Sequence, residues 1–163
     1  MLPMRRQLTL FLPPPQRAII EPIRQRLDPR QHAIIPAHVT LCRDDELADW
    51  PALERRLSSL EAFSLTLRFG APQALPDGCI LLRPTQGAQQ YQALRRSLLG
   101  PAAPIHGAHL TLLHPRHATG TPPDVAELAT VLADLVATFS SIALIEQRGM
   151  APWQLLREYP PAT

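Results

Sequence analysis

Two copies of a short histidine-containing motif are the feature of this sequence that points most directly to chemistry. The first copy is HVTL at residues 38–41, and the second is HLTL at residues 109–112. In a β-strand, successive side chains point to opposite faces. His38 therefore shares a face with Thr40, and His109 shares a face with Thr111, while the apolar residues between them point to the other face.

An imidazole beside a hydroxyl, present twice, is suited to acid–base chemistry on a phosphodiester. One neutral histidine can take a proton from water, and one protonated histidine can give a proton to the leaving oxygen. The hydroxyls of Thr40 and Thr111 can donate hydrogen bonds to the non-bridging phosphate oxygens. This chemistry requires His38 and His109 to face one cleft. It needs no metal, and we expect neither a metal site nor a cofactor.

Short strands and amphipathic helices alternate along the chain and must position these motifs. Seven segments rich in Leu, Ile, Val or Thr between turn residues predict strands: residues 7–12, 37–42, 64–69, 79–83, 108–113, 141–146 and 153–157. Four segments with apolar residues at helical spacing predict helices: residues 16–27, 50–60, 88–99 and 124–139.

The order of these elements contains an internal repeat. Aligning His38 with His109 gives an offset of 71 residues (109 − 38), and the strand near 8–12 then falls on 80–84 with an offset of about 72. The strand at 64–69 falls on the one at 141–146 with an offset of about 77. We therefore expect one α+β domain over residues 1–163, with two pseudo-symmetric β-α-β-α-β lobes, at about 5–70 and 78–158, whose sheets line a central cleft.

Length and composition favour an ordinary globular domain. The chain has 163 residues, of which 45% are hydrophobic and 18% are charged, which excludes a disordered or collagen-like chain. It has no apolar run long enough to span a membrane and no signal-peptide pattern, which predicts a cytoplasmic protein. All sixteen basic residues are arginine, so lysine Schiff-base chemistry is excluded.

The two motifs and their surroundings resemble the 2H (two-histidine) phosphoesterases, which include the RNA 2′,3′-cyclic phosphodiesterases also called 2′-5′ RNA ligases. The resemblance rests on PAHVTLC and GAHLTLLHPR, on their separation, and on the order of strands and helices. It implies hydrolysis of a cyclic phosphate without metal. It also implies His38 as proton donor and His109 as proton acceptor, although the similarity of the two motifs leaves this assignment open.

The substrate that the resemblance implies is a 2′,3′-cyclic phosphate at an RNA end or on a small cyclic nucleotide. Two alternatives remain open: an enzyme that makes or breaks a 2′-5′ linkage in RNA, and a non-catalytic nucleotide- or RNA-binding module of the same fold. We expect a monomer with no membrane partner.

Three further residues near the ends of the motif strands are candidates for substrate binding. Arg43 and Arg116 follow the two strands and could hold a phosphate through a bidentate guanidinium. His114, five residues after His109, can reach substrate only if the strand twists at its end. Trp153 and Tyr91 could stack on a nucleobase, but packing in the core is the simpler interpretation for both.

Overall fold

The computed structural model describes residues 2–160 and contains ten strands and five helices within that range. The strands are β1 Met4–Phe11, β2 His38–Cys42, β3 Leu65–Phe69, β4 Gln73–Ala74, β5 Ile80–Leu82, β6 Pro84–Gln86, β7 Leu110–Leu113, β8 Val136–Phe139, β9 Ile142–Arg148 and β10 Gln154–Tyr159. The helices are α1 Pro14–Leu27, α2 Pro29–Ile34, α3 Trp50–Ser58, α4 Ala88–Leu99 and α5 Val125–Val131.

The strands form two antiparallel sheets. The larger has seven strands in the order β10-β9-β1-β2-β7-β5-β4, and the smaller has three in the order β6-β3-β8. Strands from the two halves of the sequence meet where β2 pairs with β7. This α+β architecture confirms the predicted fold class, whereas a pseudo-twofold relation between two lobes stays a prediction.

The apolar residues of the motif strands form part of one hydrophobic core. Val39 and Leu41 on β2 are fully buried, as is Leu110 on β7. They belong to the same cluster as Ile20 of α1 and Leu57 of α3. Because these residues point into the core, the alternate residues of both strands, which carry the imidazoles and hydroxyls, point to the opposite face of the sheet.

The predicted helix at 124–139 is wrong in its second half. Helix α5 ends at Val131, and the chain reverses through Asp134, which has a φ of 60° and forms an ion pair with Arg68. The residues that follow form β8, which pairs with β3. The alternating burial of Ala137 and Phe139 explains the strand, because these two side chains reach the core together.

This new strand also changes the correspondence between the two halves. The segment at 141–146 was expected to match 64–69, but β9 lies in the large sheet and β3 in the small one. Strand β8 begins 71 residues after β3 (136 − 65), the same offset that separates the two motif histidines. The repeat in the sequence is therefore better described with β8 as the third strand of the second half.

Among residues 2–160, no helix is both long and apolar enough to cross a membrane.

Candidate active site

Pairing between β2 and β7 brings the two motifs side by side. The strands are antiparallel, with Val39 opposite Leu110. Since residues flanking such a pair oppose each other in reverse order, each histidine lies opposite the threonine of the other motif. The two cross-strand pairs are His38 with Thr111, and Thr40 with His109. The two histidines thus occupy one diagonal of a four-residue cluster, with backbone positions roughly 7–8 Å apart.

A cavity of about 200 Å³ lies over this cluster, several times the roughly 30 Å³ that one water molecule occupies in the liquid. No carboxylate from the described part of the chain lines it. The lining is basic, polar and partly apolar, and consists of Arg5, Gln7, Arg24, Gln31, Ile34, Ile35, His38, Thr40, His109, Thr111, His114, Arg116, His117, Gln147, Met150 and Trp153. This composition suits an anionic ligand.

Both motif histidines are held by a backbone carbonyl two residues earlier. The Nδ1 atom of His38 lies 2.8 Å from the Pro36 carbonyl oxygen, and that of His109 lies 3.1 Å from the Gly107 carbonyl oxygen. Because a carbonyl oxygen only accepts, each Nδ1 carries the hydrogen. Each ring is therefore oriented with Nε2 available for proton transfer to or from a ligand.

The surroundings of His38 favour its neutral form. Part of the side chain faces the cavity, yet the ring is packed closely enough that desolvation lowers its pKa to about 4. The hydrogen bond to Pro36 opposes this effect, and the positive charges of Arg24 and His109 add to it. At neutral pH these surroundings favour a neutral His38 whose Nε2 can accept a proton, whereas the resemblance implied that His38 is the donor.

The hydroxyl of Thr40 accepts a hydrogen bond from a residue on β1. The Gln7 side-chain amide donates to Thr9 Oγ1 at 2.7 Å and to Thr40 Oγ1 at 3.4 Å. Since Thr40 Oγ1 accepts this bond, its own hydrogen is free to be donated to an anion. Tyr91, buried in the core, donates to the Thr40 backbone carbonyl at 2.6 Å and fixes β2 at this point.

Two arginines in the cavity wall were not singled out from the sequence. Arg24 of α1 is 2% exposed, donates to the Ile35 carbonyl at 2.9 Å and pairs with Glu21. Arg5 of β1 donates to the Gln147 side chain and lies 5.3 Å above the Trp153 ring. Both guanidinium groups place positive charge at the cavity, and both already bind other groups of the protein.

Alternation along β1 is the signal that could have revealed part of this wall. Arg5 and Gln7 line the cavity and Thr9 follows on the same face, whereas Leu8 and Leu10 point into the core. The predicted strand began at residue 7 and so omitted Arg5. No comparable local pattern marks Arg24, because the loop that it holds arrives from another part of the chain.

The structure brings two of the three further candidates to the cavity. Arg116 and His114 both line it, because β7 ends at Leu113 and the turn Pro115–His117 returns the chain to the rim. Burial lowers the pKa of His114.

Arg43 does not line this cavity. It lies five residues along an extended strand from His38, roughly 16 Å away. There it caps a short 3₁₀ turn and forms ion pairs with Asp45 and Glu46. The expectation that Arg43 binds substrate is therefore not supported by its position.

The two aromatic candidates have different surroundings. Tyr91 is 1% exposed and belongs to the core, as the simpler interpretation predicted. Trp153 lies in the cavity wall beneath Arg5, and it also packs against the smaller hydrophobic cluster, as the simpler interpretation predicted.

The described residues contain no group of three or more His, Cys, Asp or Glu side chains placed to hold a metal ion.

Comparison with solved structures identifies the class of fold. E. coli LigT complexed with phosphate is 18% identical, with a TM-score of 0.60, and the match covers 100% of both chains. E. coli LigT complexed with 3′-AMP is 20% identical, with a TM-score of 0.58 and 99% of both chains covered. A conserved protein of unknown function from Agrobacterium tumefaciens is 14% identical, with a TM-score of 0.60, covering 96% of this chain and 85% of that one.

The chain therefore has a LigT-like fold, as the resemblance of the two motifs implied for the fold. No protein-family model matches the sequence. No curated protein matches it either.

Proposed function

We propose that this protein is a metal-independent phosphodiesterase that hydrolyses a 2′,3′-cyclic phosphate on an RNA end or a small nucleotide. The observation that supports it most strongly is the diagonal arrangement of His38 and His109, each with Nδ1 bound to a carbonyl and Nε2 left for a ligand. A phosphate between the two rings would meet one group able to accept a proton and one able to donate a proton.

The proposed reaction needs two proton transfers. Neutral His38 takes a proton from a water molecule as the water oxygen attacks phosphorus. The bond from phosphorus to one ribose oxygen breaks, and protonated His109 gives its Nε2 proton to that oxygen. The product is a phosphomonoester beside a free hydroxyl. The hydroxyls of Thr40 and Thr111 donate to the non-bridging oxygens, where negative charge increases in the transition state.

The basic lining of the cavity supports an anionic substrate. Arg24 and Arg116 contribute positive charge close to the motif residues. Solved LigT structures with the same fold hold phosphate, ATP, NADP+ and 3′-AMP, which supports a nucleotide as the ligand of this chain.

A second candidate activity is the making or breaking of a 2′-5′ linkage, and it is supported by the LigT-like fold. With a ribose hydroxyl in place of water, the same two imidazoles would transfer the same two protons. A non-catalytic nucleotide-binding module of this fold is the remaining alternative, and activity assays separate all three.

We expect the purified protein to convert 2′,3′-cyclic nucleotides to phosphomonoesters in excess EDTA, with the products separated by anion-exchange chromatography. Parallel reactions with 2′-5′-linked dinucleotides test the second activity. A double variant, His38→Ala/His109→Ala, purified in the same way, controls for a contaminating nuclease. Turnover that requires an added divalent cation, or that persists in the double variant, would contradict the proposal.

The pH dependence of kcat/KM is expected to be bell-shaped, because the reaction needs one neutral and one protonated imidazole. This quantity reports the free enzyme. Protonation of His38 leaves no neutral imidazole, so kcat/KM should persist to about pH 5 and fall as the pH approaches 4. Loss of the donor's proton should lower kcat/KM on the alkaline side.

Exchanging the roles of donor and acceptor does not change the shape of this profile, because the two singly protonated forms bind the same number of protons. A kcat/KM that keeps rising with pH would contradict the pairing of the two imidazoles. Unfolding monitored at each pH separates loss of activity from loss of structure.

A further inference from the structure

A buried carboxylate joins two walls of the cavity. Asp28, between α1 and α2, is 2% exposed. Its Oδ1 atom accepts from the Gln31 backbone N–H at 3.0 Å and from His117 Nδ1 at 2.7 Å. Its Oδ2 atom accepts from the His114 backbone N–H at 2.9 Å. One side chain therefore fixes the turn Pro115–His117 against the start of α2.

This anchoring gives His117 a defined orientation. The side chain is 16% exposed and lines the same cavity as the two motif histidines. Because Nδ1 donates to Asp28, Nε2 is the nitrogen that remains for a ligand, and it can donate to an anion when the ring carries both hydrogens. The local sequence gives no sign of this anchoring, since the carboxylate that holds His117 is 89 residues away (117 − 28).

The cavity has more anion-binding groups than one phosphate requires. The two histidines and two threonines of the motifs suffice for the scissile phosphate. Arg5 and Arg24 hold protein partners, but the Arg116 guanidinium forms no hydrogen bond or ion pair with any residue in the range 2–160. Arg116 and the oriented ring of His117 therefore lie on one turn. Within residues 2–160, the only anionic partner of either side chain is Asp28, which binds His117.

We propose that the turn Pro115–His117, positioned by Asp28, is a second anion subsite that binds a substrate phosphate other than the scissile one. The inference rests on the proposed function and specifies its substrate class. That class is a nucleotide with a terminal 2′,3′-cyclic phosphate and a further phosphate. The further phosphate is either the 5′-phosphate of a mononucleotide or the adjacent backbone phosphate of an oligonucleotide.

The test compares kcat/KM for three substrates with the same terminal base: a 2′,3′-cyclic nucleotide, its 5′-phosphorylated form, and a dinucleotide ending in a cyclic phosphate. A charge-assisted hydrogen bond is worth about 1.5–3 kcal/mol, which is a factor of about 10 or more. The unmodified protein should therefore prefer at least one of the two longer substrates by about tenfold or more, and the preferred one identifies the source of the second phosphate.

His117→Asn is the most informative variant. An asparagine amide can donate to Asp28 in place of Nδ1, but it provides no counterpart of Nε2. We expect it to remain folded and to lose about tenfold in the preference. His32→Asn, on α2 but outside the cavity lining, is the matched control and should leave all three rates unchanged.

Asp28→Asn tests the positioning role. A single amide oxygen cannot accept from the three N–H groups that converge on the carboxylate, so the turn should shift and the preference should fall. A folded Asp28→Asn protein that keeps the full preference would refute the positioning by Asp28.

Two further results would overturn the subsite: equal kcat/KM for all three substrates, or a preference that survives in full in the Arg116→Met/His117→Asn double variant. Binding separates these outcomes from failure of the proposed function. Calorimetry should show adenosine 3′,5′-bisphosphate binding more tightly than 3′-AMP to the unmodified protein, and this difference in affinity should be smaller for His117→Asn, whether or not turnover occurs. Equal affinities in the unmodified protein would refute the subsite independently of catalysis.

Discussion

Replacement of His38 or His109 by alanine is expected to lower kcat on a cyclic-phosphate substrate by about 10²–10⁴-fold. Each imidazole would perform one proton transfer in the transition state, and positioned acids and bases typically contribute this much. KM should change less, because the hydroxyls of Thr40 and Thr111 and the surrounding cations still bind the phosphate. Steady-state kinetics measures kcat and KM, and thermal unfolding of the same preparations shows whether each variant is folded.

Asparagine variants separate proton transfer from structural support. In His38→Asn and His109→Asn, the amide can still donate to the Pro36 or Gly107 carbonyl, as Nδ1 does, but Nε2 is absent. These variants should unfold at nearly the temperature of the unmodified protein while losing as much activity as the alanine variants. His32→Ala, outside the cavity, should keep full activity.

Two outcomes would contradict the catalytic interpretation of these histidines. A His38→Asn or His109→Asn protein that retains kcat would show that Nε2 transfers no proton. An alanine variant that loses stability, with its residual folded fraction fully active, would show that the imidazole supports the strand instead.

Residue type predicted most of the strands. All seven segments rich in Leu, Ile, Val or Thr form strands, because such side chains suit the pleated surface of a sheet. Alternation alone would have missed some of them, since β5 and most of β9 are buried on both faces. The error at residues 132–139 has a physical cause. The apolar residues of this stretch fit either period, and pairing with Leu65 and its neighbours on β3 decides in favour of a strand. Pairing with a distant segment is not encoded in local spacing.

The candidate site divides in the same way between local and distant determinants. His38, Thr40, His109 and Thr111 could be predicted because motif and alternation are local. Arg24 could not, because its partners are brought together only by the folded chain. Asp28, which holds His117, was missed for the same reason. For Arg43, proximity in sequence was misleading, because an extended strand carries a side chain away from the site with every residue.

Removal of Arg95 is expected to cost about 3–5 kcal/mol of the free energy of unfolding, because it breaks a buried ion pair. The Arg95 side chain of α4 is fully buried and donates to both carboxylate oxygens of Glu46, at 2.9 and 2.6 Å. It also donates to the backbone carbonyls of Leu41 and Pro104. Arg95→Met keeps the apolar stem but leaves Glu46 without its cation and both carbonyls without their donor.

Loss of the contact between Arg95 and the Pro104 carbonyl should also affect His109. The segment between α4 and β7 contains Gly107, whose carbonyl orients His109. Arg95 holds this segment at Pro104, so a folded Arg95→Met protein should show a lower kcat as well as a lower stability. Arg96→Met, exposed on the same helix, is the matched control and should change stability by no more than about 0.5 kcal/mol.

The pH dependence of the stability loss provides an independent check. The hydrogen bond from Arg95 is the main cause that holds the pKa of Glu46 below its usual range. The stabilisation from this carboxylate is therefore present above the unfolded pKa and is lost as the pH falls through the lower folded value. Urea unfolding should show a large difference between Arg95→Met and the unmodified protein at pH 7 and a smaller one at pH 3.

A double-mutant cycle completes the test, because removing both charges avoids a lone buried ion. Arg95→Met/Glu46→Gln should be less destabilised than the sum of the two single variants, with a coupling of about 1–3 kcal/mol at pH 7. Additive single effects would mean that the two charges contribute independently, and Arg95 would then stabilise the fold only through Leu41 and Pro104. In that case the difference between pH 7 and pH 3 should also disappear, since the Glu46 carboxylate would no longer be linked to Arg95.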